Sequence, residues 1–228
     1  MAINRVGTID DRVSVRTVLV SVSDKSGLEP LAAGLLAAPS APFLLSTGGT
    51  YDALRKILGT RAEGRLRQVS DYTGQPEMQG GLVKTLDFRI YLGLLSETYN
   101  PAHAADLKRT GALPIDMVVV NLYPFETTVA RPGADVEDAR GNIDIGGPCM
   151  VRAAAKNFHR VAVLTDPSDY PAVLAEMAPA GELALATRWR LAQKAFRLIA
   201  AYDAAISDYL TAVELPAVTA AYTVKTGG

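Results

Sequence analysis

The fold of this chain is decided by the stretch Val18-Leu19-Val20-Ser21-Val22-Ser23-Asp24-Lys25-Ser26-Gly27, an apolar run that leads into a short polar turn. About 25 residues further on, Phe43-Leu44-Leu45-Ser46-Thr47-Gly48-Gly49-Thr50 repeats the plan. A strand that delivers such a turn to a helix N-terminus creates an anion site, because unpaired backbone N–H groups and the positive end of the helix dipole point outward together. The two turns therefore predict one phosphorylated ligand at the ends of two adjacent parallel strands.

Apolar runs elsewhere in the chain extend this pattern into alternating strands and helices. Strands are predicted near 17–22, 42–46, 66–70, 117–120 and 161–165, and helices over 27–38, 50–58, 101–111, 135–140, 148–157, 168–177 and 181–211. The alternation predicts a parallel, doubly wound α/β sheet, in which ligands bind beyond the carboxyl ends of the strands. The turn-rich stretch 71–86 is a long connection that we expect to fold over that edge.

The division of the chain is predicted from the same pattern. Residues 1–16 read as a loose N-terminal extension, 17–211 as one domain, and 212–228 as a C-terminal tail. The apolar fraction of 49% is enough for a full core.

Composition excludes several classes of function. A formal net charge of −1 gives no basic field for nucleic acid. The single cysteine excludes an internal disulfide and a cysteine-built metal site, and the two histidines lack metal-ligand spacing, so we expect no metal. No apolar run approaches the ~20 residues of a membrane span, and the first 16 residues do not resemble a signal peptide. The expectation is a soluble cytoplasmic protein that binds neither nucleic acid nor membrane.

Four positions on predicted loops and helices carry groups suited to proton transfer: Lys84, Tyr123, Asp144 and Lys156. An acid and an ammonium group held close together by apolar walls can exchange protons once their pKa values shift. Each position also has a structural interpretation, as a surface lysine, a boundary tyrosine, a helix-capping aspartate or a partner of the helix dipole. The residues alone therefore indicate an α/β protein that binds a small phosphorylated ligand.

Ordered strings of sequence are more specific than these single residues. They are VSVSDKSGL (20–28), LSTGGT (45–50), VSDYTGQPEM (69–78), VKTL (83–86), VVVNLYPF (118–125), NIDIGGP (142–148), RAAAKN (152–157), RLAQKAF (190–196) and AAYDAAI (200–206). Together they resemble the IMP cyclohydrolase domain of the bifunctional AICAR transformylase/IMP cyclohydrolase family. The resemblance covers roughly residues 17–210.

The resemblance implies a three-layer, methylglyoxal-synthase-like α/β fold and the last step of purine synthesis. In that step FAICAR, a formamido ribonucleotide, closes to IMP with loss of water, and neither a cofactor nor a metal is expected. A homodimer is implied as well. Because a transformylase domain follows in the family, the chain is expected to be a standalone or truncated cyclohydrolase that works beside a separate AICAR transformylase.

The resemblance also assigns roles to residues. Asp144 paired with Lys156 would act on the base side, and Lys84 and Tyr123 would polarise the formyl oxygen and transfer protons. The remaining implied residues bind substrate. Those implied for the ribose phosphate are Ser21, Ser23, Lys25, Thr47, Gly49, Thr50 and Thr85. Backbone groups of the Asp144–Gly147 turn, which includes Ile145, Gly146 and Gly147, would hold the carboxamide and formyl groups. Gly48 and Asn121 are also expected to bind substrate.

The chain departs from the family pattern at two segments, 82–91 and 97–111, and the first bears on the expected phosphate site. Leu82 stands where an arginine would approach the phosphate, and Asp87 and Tyr91 stand at two histidine positions. A leucine cannot make a charged bidentate contact. Either Arg89 restores the missing charge from a different backbone position, or the site has weakened or changed its ligand.

Two other functions fit the same residues. One is a non-catalytic purine-ribonucleotide-binding partner of a separate transformylase, which Leu82 favours. The other is a phosphate lyase related to methylglyoxal synthase, which the lack of a histidine in the expected ligand-facing turns disfavours.

Overall fold

The computed structural model describes residues 5–76, 78–79 and 84–225. Its strands are β1 (Arg12–Ser14), β2 (Thr17–Val22), β3 (Phe43–Ser46), β4 (Leu66–Gln68), β5 (Met117–Asn121), β6 (Ala162–Leu164) and β7 (Glu182–Ala184). Its helices are α1 (Leu28–Ala37), α2 (Gly48–Leu58), α3 (Val69–Thr73), α4 (Phe88–Leu95), α5 (Pro101–Thr110), α6 (Phe125–Val129), α7 (Val136–Gly141), α8 (Gly146–Lys156), α9 (Tyr170–Met177), α10 (Leu185–Ala212) and α11 (Leu215–Ala221).

A parallel sheet with the strand order β4-β3-β2-β5-β6 forms the centre of the molecule. β2 lies between β3 and β5, with Val20 opposite Ser46 on one side and Val119 on the other. The polar turns after β2 and β3 therefore lie side by side, as the sequence predicts. β2 and β5 are almost wholly buried, as is usual when helices cover both faces of a parallel sheet.

Two groups of helices flank the sheet. One contains α1, α2 and α9, and the other contains α4, α8 and α10. Apolar side chains from the sheet and from both groups form one continuous core. The architecture is the α/β fold expected from the alternation of elements.

The amino-terminal edge of the sheet is fixed by a buried ion pair. Asp116, just before β5, accepts the backbone N–H groups of Arg16 and Thr17 at 2.9 Å each and the guanidinium of Arg160 at 3.0 Å. Burial raises the pKa of Asp116 and lowers that of Arg160, although each partner's charge opposes the shift. The arrangement locks the starts of β2 and β5 at the edge opposite the polar turns.

The N-terminal segment is less loose than expected. β1 pairs antiparallel with β7, which the sequence did not predict. The buried guanidinium of Arg188 donates to the backbone carbonyls of Asp10 and Asp11 at 2.7 and 3.0 Å, and so attaches the segment to α10. These long-range contacts have no local sequence signal.

Several element boundaries differ from the predictions. The strand predicted to 70 ends at Gln68, because the chain turns into α3 at Val69. α8 begins at Gly146, two residues before the proline expected to open it. α3, α4, α6 and α11 were not predicted. Across the described residues, none of the helices combines the length and apolar character needed to span a membrane.

Candidate active site

A large open cavity lies at the carboxyl ends of β2, β3 and β5, with a volume of about 1270 Å³. Most of the site residues predicted from the sequence line this cavity. They are Ser21, Ser23, Lys25, Thr47, Gly48, Gly49, Thr50, Lys84, Thr85, Asn121, Tyr123, Asp144, Ile145, Gly146 and Gly147. Lining residues that were not predicted are Val22, Met78, Gln79, Leu86, Val120, Arg140, Gly141, Ile143 and Met150. Met78 closes one of the quoted strings, whereas Arg140 gave no signal because a charged helical residue is usually a surface residue.

The N-terminus of α2 is open toward this cavity. Thr47 is its N-cap but its side chain makes no capping hydrogen bond to the helix, and the N–H groups of Thr50 and Tyr51 donate to the Thr47 carbonyl. In the described part of the chain, the N–H groups of Gly48 and Gly49 have no acceptor. Two unpaired donors at a helix start are the arrangement that binds phosphate, as predicted for this turn.

The turn after β2 is arranged differently from the prediction. The side-chain oxygen of Asn121 accepts the N–H groups of Ser23 and Asp24 at 2.6 and 2.9 Å, and its Nδ2 donates to the Asp24 carbonyl at 2.7 Å. The N–H of Ser26 donates to the Asp24 carboxylate at 2.9 Å. The N–H groups of Ser23, Asp24 and Ser26 are therefore already paired within the protein. The turn also presents the side chain of Lys25 to the cavity.

Hydroxyl groups connect the two turns. Ser21 Oγ and Thr47 Oγ1 are 2.9 Å apart. The Thr50 hydroxyl donates to the Val22 carbonyl at 3.0 Å and accepts the Val22 N–H at 3.2 Å. Thr50 is only 4% exposed, so its hydroxyl holds β2 against α2 and its part in ligand binding remains a prediction.

Two glycines allow Lys84 and Thr85 to come close to the helix starts. A Cβ on Gly48, whose φ is +40°, would lie 2.9 Å from Lys84 Nζ, and one on Gly146 would lie 2.8 Å from Thr85 Oγ1. The segment 84–85 thus reaches both the N-terminus of α2 and that of α8. Glycine leaves room for these approaches, because a side chain at either position would displace the Lys84 ammonium or the Thr85 hydroxyl.

Tyr123 and Asp144 both line the cavity and interact with each other. Asp144 Oδ1 accepts the N–H of Gly147 at 2.9 Å, which anchors the carboxylate at the start of α8. Burial raises the pKa of Asp144, with backbone N–H groups partly opposing the rise, and burial together with the Asp144 charge raises the pKa of Tyr123. A carboxylate of increased basicity beside a phenol is suited to moving protons.

Lys156 is not part of this group. It lies at the last residue of α8 and is exposed, whereas the cavity is at the first residues of that helix. At 1.5 Å per residue, the helix separates its two ends by ~15 Å. The predicted pairing of Lys156 with Asp144 is therefore absent within one chain.

The segment that departs from the family pattern has structural uses. Leu82 lies outside the described residues. Asp87, 5% exposed, caps α4 by accepting the N–H of Arg89 at 2.7 Å, and Tyr91 is partly buried on the same helix. Arg89 donates to the Tyr72 carbonyl at 2.9 Å and does not line the described cavity. It therefore supplies no charge to the site in place of the family's arginine.

Among residues 5–76, 78–79 and 84–225, no group of three His, Cys, Asp or Glu side chains is placed to hold a metal ion.

Two protein-family models match consecutive parts of this chain. Residues 42–149 match the MGS-like domain, and residues 154–226 match the AICARFT/IMPCHase bienzyme family. Bifunctional purine biosynthesis protein PurH of Sorangium cellulosum is 51% identical over 203 residues, which are 87% of this chain and 36% of that protein. PurH of Chlorobium luteolum is 50% identical over 214 residues, which are 92% of this chain and 40% of that protein.

A solved structure extends the comparison. ForH, which has a crystal structure, shares 36% sequence identity with this chain. The match covers 85% of this chain and 98% of the ForH chain, with a TM-score of 0.71. Fold and site together define an MGS-like α/β protein with an open helix N-terminus and a Tyr–Asp pair in one cavity. The chain belongs to the AICARFT/IMPCHase bienzyme family, and it spans 36–40% of the length of these two PurH relatives.

Proposed function

We propose that this chain is an IMP cyclohydrolase, which closes the second ring of FAICAR to give IMP and water in purine biosynthesis. The observation that carries the proposal is the placing of Lys84, Tyr123 and Asp144 in one cavity with the open N-terminus of α2. The PurH relatives are purine biosynthesis proteins, and the match to them covers the part of the chain that forms this cavity.

The phosphate of the substrate would bind at the start of α2. The free N–H groups of Gly48 and Gly49 would donate to it, and the helix dipole would favour its charge. Lys25 lines the same cavity and would add a positive charge. Holding the phosphate at one end fixes the ribose and directs the base toward Tyr123 and Asp144.

Ring closure is difficult because the attacking atom, an amide nitrogen of the same molecule, is a poor nucleophile. The carboxamide nitrogen of FAICAR attacks the formyl carbon, and the formyl oxygen gains negative charge as the bond forms. Binding in the cyclising rotamer removes much of the entropic barrier. Asp144 would accept the proton from the carboxamide nitrogen, because burial makes this carboxylate more basic than a solvated one.

The developing charge on the formyl oxygen needs a donor. The Tyr123 hydroxyl and the Lys84 ammonium would supply it, and one such donor is worth about 3–4 kcal/mol of the barrier. Proton transfer to that oxygen gives a hydroxyl adduct. The C–O bond then breaks as this hydroxyl takes up a second proton and leaves as water, and the former formamido nitrogen loses its N–H proton as the C=N bond of IMP forms. Lys84 has a flexible stem that lets its ammonium move from Gly48 toward the reacting end. The proposal gives Lys156 no role in the cavity of its own chain.

We infer that two copies of the chain pair. Exposed apolar side chains on α10 and α11 support pairing: Trp189 is 47% exposed, Phe196 42%, Leu210 54% and Leu215 72%. A particle of twice the chain mass in light scattering at micromolar concentration is the expected result, and a monomer would overturn the inference. A separate AICAR transformylase would supply the FAICAR if none is joined to this chain.

Purified protein mixed with FAICAR tests the function. The increase in IMP absorbance is expected to exceed the spontaneous rate, and Asp144→Asn is expected to lower kcat about 100-fold while IMP still binds. Tight binding of IMP by the wild-type chain without turnover would instead establish the non-catalytic binding partner. A lyase of the methylglyoxal synthase type would release inorganic phosphate from a triose phosphate, which the same preparation can be assayed for.

A further inference from the structure

The turn that carries Asp144 is held from behind by a tyrosine on α10. The backbone N–H of Asp144 donates to the Tyr202 hydroxyl at 2.8 Å, and that hydroxyl donates to the Asn142 carbonyl at 3.1 Å. One phenol therefore joins two points of the turn just before α8. Tyr202 is partly buried and is not among the described residues that line the cavity.

The ring of the same tyrosine also supports the Tyr123 side of the site. Its centroid lies 6.3 Å from that of Phe125, in an edge-to-face arrangement that stabilises aromatic pairs. Phe125 is 2% exposed and begins α6, two residues after Tyr123. Tyr202 thus contacts both of the segments that present Tyr123 and Asp144.

We propose that Tyr202 is a positioning residue, which fixes the Asp144 turn so that the carboxylate faces the substrate at the correct angle. This inference rests on the proposed cyclohydrolase function. Tyr202 would not touch the substrate and would act through the backbone of Asn142 and Asp144. It also gives a use to the AAYDAAI string at 200–206, which carries part of the family resemblance but has no role in the cavity.

Loss of the hydroxyl would affect the chemical step more than binding. The Asp144 N–H and the Asn142 carbonyl would form hydrogen bonds with water instead, and the segment that carries Asp144 would sample other conformations. The phosphate site on α2 would stay intact, so KM should change little. A catalytic group misplaced by part of an ångström lowers kcat by about 10-fold to 100-fold.

Tyr202→Phe is the test, and Tyr209→Phe is its matched control. Tyr209 lies on the same helix, its ring packs on Phe125 at 5.8 Å, and its hydroxyl is 3.5 Å from the Asp135 carbonyl, away from the Asp144 turn. We expect Tyr202→Phe to lower kcat for IMP formation at least about 10-fold with KM nearly unchanged, and Tyr209→Phe to leave both close to wild type. Equal kcat values for the two variants would overturn the proposal.

Amide hydrogen exchange provides a readout that does not depend on turnover. The Asp144 amide should exchange about fivefold faster in Tyr202→Phe, as loss of one ordinary hydrogen bond implies, and should be unchanged in Tyr209→Phe. An unchanged exchange rate of the Asp144 amide would refute the claim that the Tyr202 hydroxyl fixes this turn. If the wild-type chain formed no IMP, the proposed function would fail, while this exchange measurement would still decide whether Tyr202 fixes the turn.

Discussion

Gly147→Ala should disable the site without removing any functional group. Gly147 donates its N–H to Asp144 Oδ1 at 2.9 Å, so the carboxylate lies against the start of α8. A methyl group at this glycine would lie 3.0 Å from Asp144 Cγ, closer still to Oδ2, and 2.8 Å from Leu122 Cδ2. The new methyl group therefore has neighbours on both sides, and the simplest relief is displacement of the carboxylate.

The size of the displacement sets the expected loss. An ordinary contact begins at 3.4 Å, so Asp144 Cγ must retreat by about 0.4 Å and its Oδ2 by more. Because a misplacement near 1 Å can cost about 100-fold, we expect kcat to fall about 10-fold to 100-fold. Overpacking of this kind also lowers stability by about 1–3 kcal/mol.

The assay follows IMP absorbance after FAICAR is mixed with purified Gly147→Ala, and thermal unfolding reports stability. Gly34→Ala is the control, because its methyl group would lie 2.7 Å from the Leu174 side chain, between α1 and α9 and outside the described cavity. The control should unfold at a lower temperature with kcat close to wild type. Retention of full turnover by Gly147→Ala would refute the role given to the Asp144 position.

Three further perturbations have separate readouts. Gly48→Ala should weaken IMP binding by about 10-fold in calorimetry, because its methyl group would lie 2.9 Å from Lys84 Nζ at a residue with φ +40°. Lys194→Ala should lower the unfolding midpoint by roughly 2 °C at pH 6 and by less at pH 3. Hydrogen bonds from Lys194 and, to a smaller extent, Ser168 lower the pKa of Asp166 from 3.8 to about 2. The stabilisation is therefore present above pH 3.8 and is lost as the pH falls toward 2. Asp116→Asn should lower the free energy of unfolding by about 3–5 kcal/mol in denaturant titration, since it leaves a buried guanidinium without its counter-charge.

Each of these has an outcome that would contradict it. Unchanged IMP affinity in Gly48→Ala would contradict binding of the phosphate at the N-terminus of α2. An equal drop in midpoint at both pH values in Lys194→Ala would attribute the loss to packing. A change below about 1 kcal/mol in Asp116→Asn would mean that the pair adds nothing beyond a surface salt bridge.

The parallel sheet was predictable because its central strands are continuous apolar runs. Val18–Val20 and Met117–Val120 are buried on both faces, and only a strand covered on both sides tolerates such a run. The side-by-side position of the two polar turns followed from the sheet topology. The short pair β1–β7 could not be predicted, since two three-residue strands distant in sequence have no pattern of their own.

The site was predictable as a set of positions but not as a set of contacts. Ordered strings identified nearly all the predicted lining residues, including Lys84, Tyr123 and Asp144. Sequence reasoning did not anticipate that Asn121 would occupy the backbone donors of the first turn, because an amide side chain gives no sign of which backbone it will bind. Lys156 was grouped with Asp144 by resemblance, while the length of α8 separates them.

A structure of this protein with IMP bound tests the proposed site most directly. The phosphate oxygens should lie within hydrogen-bond distance of the Gly48 and Gly49 N–H groups, and the purine should lie against Tyr123 with its pyrimidine ring facing Asp144. A nucleotide bound with its phosphate away from α2, or with its base away from both Tyr123 and Asp144, would contradict this placement of the chemistry.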